Sequence, residues 1–343
     1  TMQKQNAIFF FILFLSAIIG SYYLNGIIHA IYIGKGLVDK ITLRSSHNSK
    51  VTRTGGIAIF LVIVTYSVLL ATVIPIIQSL HFWIALGLII LLGALDDIFT
   101  LSYKQKFIFQ LFTGLILTQS GYLIDSFHGV FGIYELPYSI AVTTSIVVYI
   151  VIVNAMNLID GIDGLSSFLF LFPMSVIGLF IWGVDIELFV LIPIIIGSIL
   201  AFLYFNFSRH RKVFLGDSGS LLMGTLLTFF VFWFLKKDHN IAIDTYINRG
   251  YLATLLLIYP LTDTLRAFTL RILKRKSPFS ADRIHLHHRL LDKGYTHLYA
   301  SLIILILSLL ILIANLLWFN FLGILLAPIA TFLLMIAIFY YFF

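Results

Sequence analysis

The chain has 343 residues, of which 60% are hydrophobic and only 11% are charged, and this composition excludes a soluble globular protein. It contains no cysteine, which excludes disulfides, thiolate catalysis and zinc–thiolate sites. The formal net charge of +7 would suit a nucleic-acid-binding protein. The basic residues, however, lie in the short connections between apolar runs, which is typical of a membrane protein. We therefore expect an integral membrane protein without a nucleic-acid partner.

Uncharged apolar runs near the bilayer-spanning length of about 20 residues recur from end to end. They are continuous rather than alternating, which predicts helices and excludes a β-barrel. The first run, Ile8 to Leu24, is too long for a cleaved signal peptide, so we interpret it as a retained span. We predict one all-α, multi-pass domain over residues 1–343 with 10 or 11 transmembrane helices, most simply the eleven at 7–25, 55–75, 80–96, 107–123, 138–154, 165–183, 188–206, 218–235, 250–272, 297–317 and 320–341.

The basic residues collect in alternate connections between these spans. Seventeen of the 22 lysines and arginines fall on one side, four fall on the other, and Arg266 is left inside a span. The positive-inside rule then places the N-terminus outside and the C-terminus in the cytoplasm. The predicted cytoplasmic loops lie near 35–54, 96–106, 154–164, 206–217 and 273–296.

Two carboxylates beside two carboxamides follow the fifth predicted span. Asn154, Asn157, Asp160 and Asp163 occur within ten residues, although ionised groups at hydrocarbon depth cost several kcal/mol. If this segment is helical, the spacing of three places all four on one face. A simple Gly/Asp turn is the structural alternative.

Further acids and histidines are predicted at the same membrane face. Asp96–Asp97 close the third span, Asp217 lies in a loop before the eighth, and His285-Leu-His287-His288 follows the ninth. The simpler interpretations are a solvated helix end for the Asp pair, a helix cap for Asp217 and an interfacial anchor for the histidines. Together, however, the groups are what an active site or an ion pathway needs.

One acid is predicted inside a span. Asp263 stands three residues before Arg266, and the pair is most simply an intramembrane ion pair.

These residue types favour metal-assisted phosphoryl transfer. Carboxylate and carboxamide oxygens suit Mg²⁺ or Mn²⁺, and Mg²⁺ usually takes one or two protein carboxylates together with substrate phosphates. Lys104, Lys106, Arg283 and the histidines can neutralise phosphate oxygens. Neither a Walker motif nor a dinucleotide-binding glycine motif is present, so ATP or NAD use is unsupported.

The order of motifs resembles a known family over nearly the whole chain. The motifs are Gly55-Gly56, Gly93-Ala-Leu-Asp96-Asp97, Asn154 to Leu165, Phe214-Leu-Gly-Asp217-Ser-Gly-Ser220, and Ser277-Pro-Phe-Ser-Ala-Asp-Arg283-Ile-His285-Leu-His287-His288. They resemble the polyprenyl-phosphate N-acetylhexosamine-1-phosphate transferases, in the branch with His-x-His-His. The resemblance implies that a UDP-N-acetylhexosamine and undecaprenyl phosphate give undecaprenyl-diphospho-sugar and UMP, with Mg²⁺ as cofactor and Mn²⁺ as an alternative.

The resemblance also implies roles for individual residues. Asp217 is similar to the principal metal ligand and Asn157 to a second one. Asp96 and Asp97 are similar to the pair at the acceptor phosphate and the metal. Asp163 corresponds to the residue that reads uracil, and Phe214 to the ring that stacks on it. The remaining predicted substrate-binding and catalytic residues are Lys104, Lys106, Arg283, His47, Asn154, Asn206, Asp160, His285, His287 and His288.

The resemblance places the protein in the bacterial cytoplasmic membrane, at the first membrane step of a cell-surface glycan such as teichoic acid or O-antigen. The donor is most simply UDP-GlcNAc. Arg44-Ser-Ser-His47 is closer to family members that take other UDP-N-acetylhexosamines, such as 6-deoxy sugars, so that alternative stays open, as does a homodimer.

A transporter is the alternative from a different functional class, because Asp263 and Arg266 could serve an ion path. The clustering of acids at one face and the lack of matching interrupted helices argue against it. A non-catalytic scaffold would not need five aspartates beside a histidine loop.

Overall fold

A computed structural model describes residues 2–38, 51–71, 80–239, 241, 247–277 and 284–342 of the chain. These residues are mostly helical. The helices are α1 (Met2–Gly34), α2 (Gly55–Leu70), α3 (Leu80–Phe99), α4 (Tyr103–Thr118), α5 (Tyr138–Leu158), α6 (Leu165–Val184), α7 (Ile186–Phe189), α8 (Leu191–Asn206), α9 (Gly216–Leu235), α10 (Arg249–Leu256), α11 (Ile258–Leu273), α12 (Leu286–Asp292) and α13 (His297–Phe342). A 3₁₀ turn covers Val130–Gly132, and the strands β1 (Thr52–Arg53) and β2 (Val213–Phe214) form one short parallel pair.

Seven helices within the described residues are long and apolar enough to cross a membrane. They begin at Asn6, Leu80, Tyr138, Leu165, Ile186, Gly216 and His297, and the span that begins at Ile186 combines α7 and α8. The prediction of a helical, multi-pass membrane protein is confirmed. The count of eleven spans, the orientation of the termini and the single domain over 1–343 stay predictions.

The last helix, α13, is a helical hairpin. The chain bends at Gly323, whose φ of 65° and ψ of −177° are not helical. The Thr331 hydroxyl donates to Asn315 Oδ1 at 2.5 Å. Sixteen residues along a straight helix would separate these side chains by roughly 24 Å, so the chain must reverse direction between them. The two helices predicted at 297–317 and 320–341 are therefore both present.

The helix predicted at 250–272 is divided in two, which corrects that prediction. α10 ends at Leu256 and α11 begins at Ile258, and the φ of −105° and ψ of 13° at Leu257 between them depart from helical values. Pro260 follows in the first turn of α11, where the missing N–H costs no hydrogen bond. The apolar pattern continues through the break, so hydropathy alone did not reveal it.

Helix ends also differ from the prediction near the acids. α5 extends to Leu158 and α3 to Phe99, so Asn154, Asn157 and the Asp96–Asp97 pair lie within helices. α9 begins at Gly216, which places Asp217 in its first turn instead of in a loop.

The chain forms two compact units. The first comprises Thr1–Ser120 and Met174–Leu226, and the second comprises Gly121–Pro173 and Leu227–Phe343.

In the first unit, glycines allow two helices to approach the start of α9 closely. A Cβ added at Gly93 of α3 would lie 2.3 Å from Ser218 Cα, and one added at Gly56 of α2 would lie 2.1 Å from Gly219 N. The N–H of Gly56 donates to the carbonyl of Leu215 at 3.0 Å, beside the β1–β2 pair. These contacts fix the first turn of α9 against α2 and α3.

We expect Gly93→Ala to destabilise the protein, because the new methyl would overlap backbone that cannot rotate away. Overpacking of this kind costs about 1–3 kcal/mol. Thermal unfolding in detergent should show a lower Tm. Gly87→Ala, also on α3, is the matched control, since an added Cβ there meets no atom within 4 Å. Equal Tm values for the two variants would contradict this packing.

Candidate active site

The first unit contains an acidic cluster, formed by Asp96, Asp97 and Asp217 around Lys106. Asp96 is 3% exposed, and its Oδ1 accepts from the N–H of Leu101 at 2.7 Å, which fixes the connection from α3 to α4. The Lys106 ammonium contacts Asp96 Oδ2 and lies 3.2 Å from Asp217 Oδ2. One cation therefore joins the carboxylates of α3 and α9.

Asp97 has a different role from its neighbour. Its two carboxylate oxygens accept from the backbone N–H groups of Asp217 at 2.9 Å and Ser218 at 3.0 Å. A carboxylate at the first turn of a helix satisfies unpaired N–H groups and complements the helix dipole. Arg53 Nη1 is 3.9 Å from Asp97 Oδ1. Asp97 thus anchors α9 and thereby places Asp217.

Charge in the acidic cluster keeps Lys106 protonated. Burial lowers the pKa of its ammonium, but the negative charges of Asp217 and Asp96 outweigh burial, and the net pKa of Lys106 is raised. The point between these two carboxylates is therefore a position where a cation is stabilised.

Two of the three carboxylates in the acidic cluster, Asp96 and Asp217, are suited to bind a hard divalent cation. Asp96 and Asp217 present carboxylate oxygens to one point, where the Lys106 ammonium is a stand-in for an ion. Within the described ranges, no group of three or more His, Asp or Glu side chains is arranged to hold a metal alone. Two carboxylates suit Mg²⁺, which commonly completes its coordination with water and substrate phosphates. Both oxygens of Asp97 already accept backbone hydrogen bonds, so Asp97 fits an anchor better than a ligand.

Three other predicted residues lie near β2 or on α4. Phe214 is half-buried in β2, with the Lys212 ammonium 5.5 Å from its ring centroid. Asn206 is buried at the end of α8 and donates to the carbonyl of Val213 at 3.0 Å, which supports β2. Lys104 is exposed on α4.

In the second unit, the segment after α5 is a turn, so the conditional prediction of one helical face does not hold. Gly164 has a φ of +78°, and the N–H of Asp160 donates to the carbonyl of Asn157 at 3.3 Å. Asp160 Oδ1 accepts from the Ser166 hydroxyl at 2.6 Å. Asn154 donates to the carbonyl of Ile150 within α5 at 2.7 Å.

Asp163 pairs with a residue that the sequence did not single out. Its Oδ2 lies 2.9 Å from His297 Nδ1, at the start of α13, and its carbonyl accepts from the Ser301 hydroxyl at 2.9 Å. The sequence signal was weak: His297 is a polar residue at the predicted start of a span. Nothing in the spacing linked it to an acid 134 residues earlier.

The histidine motif opens α12 and packs against the same turn. His287 is fully buried, and in the part of the chain that the structure describes neither of its ring nitrogens has a hydrogen-bond partner. A Cβ on Gly161 would lie 2.4 Å from His287 Nε2, so only glycine allows this approach. Burial, together with the nearby His288, lowers the pKa of His287 to about 3. The His287 imidazole is therefore neutral, with one nitrogen able to donate and the other able to accept.

The predicted pair of Asp263 and Arg266 is confirmed, with Arg266 Nη2 at 3.4 Å from Asp263 Oδ1. The sequence did not predict that Asp263 also binds His285 and the start of α12.

Two predicted site residues, His47 and Arg283, lie outside the described residues, in the segments 39–50 and 278–283.

Comparison with known proteins agrees with the order of the motifs. A family model described as "Glycosyl transferase family 4" matches residues 79–234. A probable undecaprenyl-phosphate N-acetylglucosaminyl 1-phosphate transferase of Bacillus subtilis (strain 168) is 30% identical over 310 residues, which cover 90% of this chain and 84% of the relative.

Two further relatives have similar names. The undecaprenyl-phosphate alpha-N-acetylglucosaminyl 1-phosphate transferase of Escherichia coli (strain K12) is 31% identical over 282 residues, which cover 78% of this chain and 73% of the relative. The decaprenyl-phosphate N-acetylglucosaminephosphotransferase of Mycolicibacterium smegmatis is 30% identical, over 84% of this chain and 77% of its own. The resemblance found in the sequence is confirmed: the chain belongs to glycosyl transferase family 4, the family of these polyprenyl-phosphate sugar-1-phosphate transferases.

Proposed function

We propose that this protein transfers N-acetylglucosamine-1-phosphate from UDP-GlcNAc to undecaprenyl phosphate in a bacterial cytoplasmic membrane and releases UMP. The observation that carries the proposal is the Asp96–Lys106–Asp217 contact in a multi-pass member of a family whose relatives are named for this transfer. The product would begin a cell-surface glycan.

The position of the acidic cluster suits a lipid and a nucleotide as partners. Asp96 and Asp97 lie in the last turn of the apolar helix α3, and Asp217 lies in the first turn of the apolar helix α9. Charged groups at the ends of such helices are placed where hydrocarbon meets water. A lipid phosphate and a water-soluble UDP-sugar can both reach that depth.

In the proposed reaction, an oxygen of the acceptor phosphate attacks the sugar-linked phosphorus of the donor. A new P–O bond forms, the bond from that phosphorus to the bridging oxygen breaks, and UMP leaves with the bridging oxygen. The second pKa of a phosphate monoester is about 6, so at neutral pH the acceptor phosphate is mainly a dianion and needs no strong base. We therefore assign the acidic cluster to positioning and charge balance.

We assign Asp217 and Asp96 as ligands of Mg²⁺, with Mn²⁺ as a substitute. Bound there, the ion would supply neutralisation of the negative charge on the donor diphosphate. The Lys106 ammonium lies beside both carboxylates and can bind phosphate oxygens. Asp97 holds the first turn of α9 and so keeps Asp217 in place.

For the second unit, we propose that His287 hydrogen-bonds a ligand, because its imidazole is neutral and, among the described residues, its two ring nitrogens have no hydrogen-bond partner. The roles that the resemblance implies for Asn157, Asp163, Phe214 and Arg283 stay predictions.

We expect Asp217→Asn to lower UMP release from UDP-GlcNAc and undecaprenyl phosphate by at least about 100-fold, because it removes one preorganised charge. UMP is measured by chromatography after incubation with the purified protein. Asp185→Asn is the matched control, since Asp185 is also a first-unit carboxylate at a helix start, where it caps α7. Asn caps a helix as well as Asp, so this control should keep full activity. A fully active, folded Asp217→Asn protein would refute the assignment.

We expect EDTA to stop turnover and an excess of Mg²⁺ or Mn²⁺ to restore it, because two carboxylates and a diphosphate then lose their shared cation. The Tm in EDTA is measured alongside, so that unfolding is not mistaken for loss of the ion. Undiminished turnover in EDTA would show that the transfer needs no exchangeable metal.

A further inference from the structure

We propose that Asp263 and Arg271 of α11 are positioning residues that clamp His285, and that this clamp sets the orientation of α12 with His287 and His288. On this view His285 is an anchor rather than a substrate-binding histidine. The proposal deepens the proposed function, on which its activity measurements rest.

The clamp begins with a buried carboxylate that binds the start of α12 at two points. Asp263 is fully buried. Its Oδ2 lies 2.9 Å from His285 Nδ1, and its Oδ1 accepts from the N–H of Leu286, the first residue of α12, at 3.1 Å. Arg266 balances the carboxylate and also donates to the carbonyl of Ile284. Side chain and backbone of residues 284–286 are thus bound to α11.

The opposite edge of the His285 ring is bound as well. Arg271 is 1% exposed, and its Nη2 lies 3.3 Å from His285 Nε2. A guanidinium can only donate, so Nε2 must accept and Nδ1 must carry the proton that is donated to Asp263. Both ring nitrogens of His285 are engaged inside the protein, and the residue is 4% exposed. Its ring therefore has no polar atom left for a substrate.

The next histidine differs in this respect. The rings of His285 and His287 are nearly parallel, 12° apart, with centroids 5.6 Å from each other. His287 is also buried, but among the described residues its nitrogens have no hydrogen-bond partner. A buried polar group without a partner is costly unless a ligand satisfies it. The motif thus divides into an anchor at 285 and a ligand-binding group at 287.

The first test compares two substitutions of the anchor. His285→Asn keeps an N–H near the position of Nδ1 and can still donate to Asp263, whereas His285→Leu cannot. We expect His285→Asn to keep kcat within about tenfold of wild type and His285→Leu to lose about 100-fold, because small displacements of a catalytic group cost that much. The loss should fall on kcat more than on KM. Equal inactivity of both folded variants would overturn the proposal, since the variant that keeps a donor to Asp263 should then have kept its activity.

The second test concerns Asp263 itself. Asp263→Asn replaces an acceptor oxygen with an NH₂ group that faces other donors, and we expect kcat to fall by about 100-fold. Thr264→Val is the matched control: Thr264 is the next residue of α11, is also buried, and has a hydroxyl without a partner in the described chain. Wild-type kcat in Asp263→Asn would overturn the proposal.

The third test does not depend on turnover. ¹⁵N-histidine NMR of the full chain in detergent reports which ring nitrogen carries the proton. We expect a Nδ1–H tautomer whose signal disappears in His285→Leu and changes in Asp263→Asn. A Nε2–H tautomer at His285 would overturn the clamp even if a variant failed to fold. If the wild type shows the Nδ1–H signal but does not use UDP-GlcNAc, the proposed function fails while the clamp stands.

Discussion

The carboxylate of Asp97 binds two backbone N–H groups in the first turn of α9, and the charged groups of the first unit are arranged around that contact. An unpaired carboxylate at the end of an apolar helix would be costly, as would unpaired N–H groups at the start of another. Each satisfies the other. Gly93 and Gly56 let the helices come close enough for this pairing, and Asp217 is thereby carried to Asp96 and Lys106. The two adjacent aspartates therefore differ in role: Asp96 contacts Lys106, whereas Asp97 binds the backbone of α9.

In the second unit, buried or half-buried carboxylates also need hydrogen-bond partners, and histidines provide them. The cost of burying Asp263 is offset because it accepts from His285, the N–H of Leu286 and Arg266. Asp163 lies within hydrogen-bond distance of His297, with 2.9 Å between its Oδ2 and the ring Nδ1. In both cases an acid on one element fixes an imidazole on another, which orders polar groups in a low-dielectric region. His287 is buried too, but among the described residues its ring nitrogens have no hydrogen-bond partner, which is why we propose that it binds a ligand.

The sequence predicted most of the long helices and the residues of the acidic cluster. Continuous apolar runs identified the long helices, and rare acids among them identified Asp96, Asp97 and Asp217, because charge at membrane depth has few structural uses. The break at Leu257 was missed, since hydropathy does not register a local change in φ and ψ. The contact of His297 was not predicted because its partner, Asp163, is 134 residues away. The contact of Arg271 was not predicted because its partner, His285, was interpreted as a substrate-binding residue. Such hydrogen bonds depend on how the helices pack, and neither motif spacing nor hydropathy shows which distant side chains meet.

In the proposed reaction a sugar phosphate, rather than a bare sugar, is transferred to the lipid. The most direct measurement is mass spectrometry of the lipid product, with the released nucleotide identified in parallel, after the purified protein is incubated with undecaprenyl phosphate and UDP-GlcNAc. We expect undecaprenyl-diphospho-N-acetylglucosamine and an equal amount of UMP. Release of UDP with a monophosphate-linked sugar, or transfer only from a different UDP-N-acetylhexosamine, would contradict the proposed reaction.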